Sequence, residues 1–168
     1  MLSEVMQNAI NEQINNELFA MYSYLSMSAW CEHKQFTGCA HWLRLQSDEE
    51  RNHALRLHDF LLARNGRVIL KPIGQPDVEF ESIPSVFEKA FAQEQTVTKQ
   101  IDTLYELAFK EKAFAALVEL EWFITEQVEE EKNAREIVHK FNLVQDDPSS
   151  LLDLDREMND RTSEGEAG

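Results

Sequence analysis

Apolar residues recur at spacings of three and four along four long stretches of the chain, the period of one face of an α-helix. The first stretch spans residues 3–33, with Ser3 placed as its N-cap. The second spans residues 37–65 and stops before Gly66, which suits a left-handed C-cap. The third opens near Ser82, carries Pro84 in its first turn and runs to residue 110; the fourth spans residues 112–142. A short fifth helix over residues 148–159 is signalled by Asp147 followed by Pro148. Residues 1–160 therefore read as a single domain. Residues 161–168, with no apolar member besides Ala167, read as a flexible tail.

The connections set the architecture. Few residues separate the first helix from the second, or the third from the fourth, so each pair is antiparallel. Between the second and third lies an irregular segment, residues 66–81, with Pro72, Gly74 and Pro76. A helix of about 27 residues is about 40 Å long, and an extended segment of about 16 residues spans about 50 Å. The segment can thus run the length of the bundle and start the third helix parallel to the second. The fold class that follows is all-α, a four-helix bundle with one long crossover and a short fifth helix. Val68, Ile69, Leu70, Ile73, Val78 and Phe80 make the crossover apolar, so it should pack on its own bundle or on a neighbouring subunit.

Each stripe, laid out residue by residue, is interrupted near mid-helix by a polar group. The first carries Glu17 between Ile14 and Tyr24; the second carries Glu50 and His53 between Leu43 and Leu57. Glu94 sits between Ala90 and Val97 in the third, and Gln127 and Glu130 between Phe123 and Ala134 in the fourth. Helix midpoints meet in one layer of a bundle, so these groups should converge inside the core. Four buried carboxylates repel one another and each loses its hydration, so they must be protonated or hold cations. Two divalent ions balance four carboxylates. Oxygen ligands with one imidazole suit Fe, Mn or Zn, and Glu50 with His53 at i, i+3 is the local motif of dinuclear carboxylate bundles. Tyr24 lies on the same stripe as Glu17, as a core tyrosine or a partner of the metals. Trp122, beside Phe123, reads as packing. Glu49, Glu126 and Glu129 lie just off the stripes, as a solvated face or an outward extension of the site.

Composition narrows the partners. The chain has 168 residues, 31 Asp+Glu against 16 Lys+Arg, and a net charge of −15. That balance argues against nucleic acid, which is bound by neutralising phosphates, and against an anionic membrane surface. With 43% hydrophobic residues and 10 Phe the chain has enough material for a core. No apolar run approaches the roughly 18 residues of a membrane span, and residues 1–10 lack the pattern of a signal peptide. Cys31 and Cys39 do not form a disulfide framework, which favours a reducing, cytoplasmic setting.

With these residues in view the sequence resembles the bacterial non-haem ferritins. The resemblance covers nearly the whole chain. It is carried by Asn11-Glu12-Gln13 with Glu17, by Met27-Ser28-Ala29-Trp30-Cys31, by Glu49-Glu50 with His53, by Glu94-Gln95, and by Thr125-Glu126-Gln127-Val128-Glu129-Glu130-Glu131-Lys132. It implies a ferroxidase that stores ferric mineral inside a homo-oligomeric shell of about 24 subunits. One iron would be bound by Glu17, Glu50 and His53. A second would be bound by Glu50, Glu94 and Glu130, with Gln127 in support. A third would use Glu49, Glu126, Glu129 and Glu130. Tyr24 and Trp122 match aromatic positions tied to electron supply, with dioxygen or hydrogen peroxide as oxidant. Bacterioferritins carry a second Glu-x-x-His on the fourth helix and a haem-ligating Met on the second; here Glu126 to Glu129 contain no His and Asn52 stands at the Met position, so no haem is expected. The Cys-x-x-Cys iron domain of rubrerythrins has no match, and the miniferritins usually lack the fifth helix. Two competing readings remain at this level. One is a di-metal oxidase or peroxide-detoxifying protein without a shell. The other is a metal-free helical interaction module.

Overall fold

The computed structural model describes residues 1–163. It contains five helices and, among the described residues, no strand: α1 (Glu4–His33), α2 (Thr37–Ala63), α3 (Ile83–Lys110), α4 (Phe114–Val144) and α5 (Pro148–Asn159). Helix α1 packs along α2 and α3 along α4, the two hairpins meet through α1 and α3, and α5 lies against α2 and the end of α4. No helix among the described residues is long and apolar enough to cross a membrane.

The crossover runs beside α1 for most of its length. Near the start, the buried Asn11 carboxamide donates to the Arg67 carbonyl at 2.9 Å and accepts from the Ile69 N–H at 2.7 Å. Lys71 then pairs with Glu12. Further on, Ser26 donates to the Asp77 carbonyl at 2.7 Å, and Phe80 meets Trp30 edge to face with centroids 5.5 Å apart. From Asn11 to Trp30 is about 28 Å of helix at about 1.5 Å per residue. The long connection is thus an extended strap that sets α3 parallel to α2. Val68 and Phe80 pack on the core, while Ile69, Leu70 and Val78 remain exposed.

Helix ends follow local chemistry. Ser3 and Asp147 cap α1 and α5 as their positions suggest, and Ser82 closes a capping box with Ser85. The end of α2 differs from expectation. The left-handed residue is Asn65 (φ 57°), and Gly66 has no positive φ. Asn65 donates to the Leu62 carbonyl and Gly66 to the Leu61 carbonyl, both at 2.9 Å, the paired bonds of a Schellman ending. Asparagine tolerates the left-handed region, and Gly66 is needed for space instead: a Cβ there would lie 2.4 Å from Leu61 Cδ1. Gln35 (φ 65°) and Lys112 (φ 52°) end α1 and α3 in the same way, which is why α4 starts at Phe114 rather than residue 112.

The N-terminus of α2 has no side-chain cap of its own. Asp155 of α5 supplies it, accepting from the Cys39 N–H at 2.8 Å and placing a carboxylate at the positive end of the helix. The helices touch there, since a Cβ on Gly38 would sit 1.7 Å from the Asp155 carbonyl oxygen. Beyond α5, Arg161 reaches back to α2, so the segment expected to be flexible begins with an anchored residue. Residues 164–168 of that segment lie outside the described residues.

Gly38→Ala should unseat α5. We expect a loss of about 1–3 kcal/mol from the steric clash, read as a lower thermal unfolding midpoint together with faster proteolysis after residue 144. Unchanged values in both assays would mean α5 is not docked through this contact.

Candidate metal centre

The apolar interior falls into two clusters. One holds Tyr24, Trp30, Trp42, Phe87 and Phe141; the other holds Ile10, Leu57, Ile101, Leu120 and Phe123. Between them lies a layer of buried polar side chains from all four long helices: Glu17, Gln46, Glu50, His53, Glu94, Gln127 and Glu130. The mid-helix interruptions of the four stripes meet in this layer because the strap keeps both hairpins in register.

Glu50 stands at its centre and is wholly buried. Neither of its carboxylate oxygens has a hydrogen-bond partner, and Glu17 Oε2 has none either. Leaving a buried polar atom unpaired costs about 1–3 kcal/mol, and more when it is charged. Ligand atoms of Glu17, Glu50 and His53 all lie within 4.8 Å of one another, as do those of His53, Glu126 and Glu130. His53 joins the two groups, with Nδ1 3.4 Å from Glu50 Oε2 and Nε2 3.9 Å from Glu126 Oε1. Hard oxygen donors with one imidazole, converging on unpaired carboxylate oxygens, fit divalent cations such as Fe²⁺.

Neutral donors orient the carboxylates. Gln13, one turn before Glu17, donates to its Oε1 at 2.7 Å. Gln46 donates to Glu130 Oε2 at 2.7 Å. The Tyr24 hydroxyl donates to Glu94 Oε1 at 2.5 Å, and Gln127 donates to Glu94 Oε2 at 3.2 Å. Glu94 therefore stands outside both groupings, with each oxygen engaged by one donor. A carboxylate oxygen has two lone pairs, so each can still meet a metal. Tyr24 is thus a core tyrosine and a partner of the carboxylate layer at once. Trp122 packs edge to face on the His53 ring at 5.4 Å between centroids, and the Arg56 guanidinium lies over the Trp122 ring at 4.2 Å.

The outer acidic residues divide. Glu126 is mostly buried beside His53. Glu49 is mostly buried and paired with Arg161 at 2.7 Å. Glu129 is exposed and belongs to neither grouping. Gln13, Gln46 and Arg161 carry no role in the sequence reading. Gln13 could have been found, since it lies four residues before the stripe carboxylate it serves, one helical turn away; Gln46 could not, because its partner Glu130 stands on another helix. Arg161 offered no such signal.

Burial raises the pKa of every carboxylate in the layer. Glu17 and Glu50 are pushed well above the usual range, first by desolvation and then by neighbouring carboxylates. Glu94 is raised by desolvation, against the hydrogen bonds of Tyr24 and Gln127. Glu130 is raised to about 8 by desolvation and by Glu94. The Tyr24 hydroxyl is raised by burial and by Glu94, so it stays protonated and donating.

The fold and the site together define a helical bundle built around a buried carboxylate–imidazole cluster that could hold metal ions. The family model for the ferritin-like domain matches residues 7–144. A bacterial non-heme ferritin from Staphylococcus haemolyticus is 36% identical over 166 residues, covering 99% of this chain and 100% of that protein. Its namesake from Staphylococcus epidermidis is 37% identical over 158 residues, 94% of this chain and 95% of that protein. Among solved structures, an open-pore ferritin from Archaeoglobus fulgidus superposes with a TM-score of 0.95 at 41% identity, covering 96% of this chain and 100% of that chain. A form of the Archaeoglobus fulgidus ferritin closed by site-directed mutagenesis gives 0.96 at 40% identity, covering 97% and 99%. The chain belongs to the ferritin-like family.

The raised pKa values make the metal-free protein sensitive to pH. The folded state binds more protons than the unfolded chain between the ordinary carboxylate value and the raised ones, so stability falls as pH rises through that window. The unfolding midpoint of metal-free protein should drop from pH 5 to pH 8, and Glu130→Gln should flatten the drop. A midpoint that rises over this range would contradict the burial of these groups.

Proposed function

We propose that the protein is an iron store with ferroxidase activity, working at a di-iron centre inside each subunit. What supports the reading most is the wholly buried Glu50, whose oxygens accept no hydrogen bond and face Glu17 and His53 at the meeting point of carboxylates from four helices. Glu17, Glu50 and His53 hold one ferrous ion. Glu50, Glu94 and Glu130 hold the other, so Glu50 bridges. Two Fe²⁺ entering as substrate neutralise the four carboxylates, which removes the repulsion that raises their pKa values. The electrons pass to dioxygen or hydrogen peroxide, and the ferric product leaves for mineral deposition. Gln127 and the Tyr24 hydroxyl hold Glu94 in place while charge at the metals changes. Glu49, Glu126 and Glu129 extend the site outward as a third position for iron in passage. No haem takes part.

The storage shell is part of the same proposal. The exposed apolar side chains Ile69, Leu70 and Val78 on the strap, and Phe109, Phe114 and Leu143 near the helix ends, form surface that a second copy of the chain would cover. A homo-oligomer of about 24 subunits follows from the family's symmetric assemblies.

Replacing a partner of a metal ligand typically costs about 10–100-fold in activity, so removing a ligand should cost at least about 100-fold. Glu50→Ala and His53→Ala should therefore lose ferrous oxidation by that factor, measured as ferric absorbance after anaerobic Fe²⁺ loading and exposure to oxygen. Unchanged kinetics in both variants would remove this layer from the reaction. Oxidation by the native chain should slow as pH falls toward 5, because protons compete with Fe²⁺ for the carboxylates. Sedimentation of the native chain should give a particle of shell size; a stable monomer or dimer would favour an oxidase without storage.

A further inference from the structure

Arg161 lies two residues beyond α5, yet its guanidinium reaches back along α2 at three levels. It donates to the Trp42 carbonyl at 3.3 Å, to Gln46 Oε1 at 2.9 Å and to Glu49 Oε2 at 2.7 Å. Its central carbon lies over the Trp42 ring, 4.4 Å from the centroid. The Arg161 carbonyl meets His41 Nε2 at 2.9 Å, which fixes the backbone as well.

Gln46 is the link inward. It is 1% exposed and engaged at both ends. Its oxygen takes the Arg161 hydrogen bond, so its amide nitrogen faces Glu130 Oε2, 2.7 Å away. Turning the carboxamide over would point its oxygen at a carboxylate and its NH₂ at a guanidinium, opposing like partial charges at both ends. The guanidinium therefore selects one orientation. With Gln46 set, one Glu130 oxygen is occupied and the carboxylate is aimed.

We propose that Arg161 is a positioning residue of the metal centre: by fixing Gln46 it orients Glu130, and so ties the seating of α5 to the geometry of a metal ligand. This rests on the reading of Glu130 as a ligand. Because α5 is itself seated through Asp155 and Gly38, α5, Arg161 and the mid-bundle site form one connected network. A lysine could not substitute, since an ammonium lacks the planar fork that meets Gln46 and Glu49 together.

The test is titration of the full chain with Co²⁺, whose ligand-field absorption reports coordination geometry. The native chain should bind two Co²⁺ per subunit. Arg161→Met should weaken the ion held by Glu130 by about tenfold, as loss of a ligand's partner does, and shift its ligand-field band. The ion at Glu17, Glu50 and His53 should keep its affinity within about twofold. Gln46→Met, which leaves the contact with Trp42 in place, should give the same loss. The double variant should lose no more than either alone, because both break one relay. Arg161→Lys should not restore the native spectrum. Native Co²⁺ affinity and spectrum in folded Arg161→Met, or in Gln46→Met where Arg161→Met does not fold, would overturn the proposal, as would losses that multiply in the double variant. A native chain that binds no Co²⁺ would instead overturn the reading of the metal centre.

Discussion

Carboxylates from four helices share one dry layer in the middle of this bundle, and much of the structure follows from that. Glu17, Glu50, Glu94 and Glu130 are each at most 6% exposed, and each is pushed toward its protonated form by burial. Such a layer splits the apolar core in two and leaves Glu50 without a hydrogen bond. Nothing in hydrophobic packing would favour it, since an apolar layer of the same volume would be more stable. It makes sense when cations complete it. The strap formed by the crossover then has a clear purpose. It carries the chain the length of α1, so that α3 and α4 bring Glu94 and Glu130 to the level of Glu17 and Glu50.

The choice of partners around the layer is equally selective. The donors that reach Glu17, Glu94 and Glu130 are Gln13, Tyr24, Gln127 and Gln46, all neutral. A lysine or arginine at any of those positions would cancel the negative charge and remove the reason for a metal to bind. Carboxamides and a phenol orient the oxygens without spending their charge. The cations stand further out: Arg56 lies over Trp122, which covers His53, and Arg161 pairs with Glu49. Charge in the centre is therefore graded, with carboxylates inside, dipoles around them, and fixed cations beyond.

Much of this was legible in the sequence because helical periodicity is a strong signal. The four stripes, their interruptions and the fifth helix appear where spacing places them, and the crossover's length already allowed a bundle-long connection. Four features were less accessible. The turn at Asn65 and Gly66 exchanges the expected roles, because asparagine also tolerates left-handed backbone and the glycine answers to Leu61 instead. Gln13 and Gln46 look like ordinary polar residues until the carboxylates they serve, Glu17 one turn away and Glu130 across the bundle, are seen to need donors. Arg161 sits in a stretch with no periodicity, and its partners lie 112 or more residues away in the chain. Composition gave no guide to Glu129 either: it belongs to the acidic run that includes Glu130, yet it is exposed while Glu130 is buried.

In the function proposed above, the buried carboxylates hold iron as a pair. Crystals of the protein soaked anaerobically with Fe²⁺ and measured at the iron absorption edge test it most directly. Two anomalous peaks per subunit should then appear, on either side of Glu50. One would lie at bonding distance from Glu17 and His53, the other from Glu94 and Glu130. Crystals that take up no iron in this layer, with Glu50 instead hydrogen-bonded as a neutral acid to a neighbouring carboxylate, would contradict it.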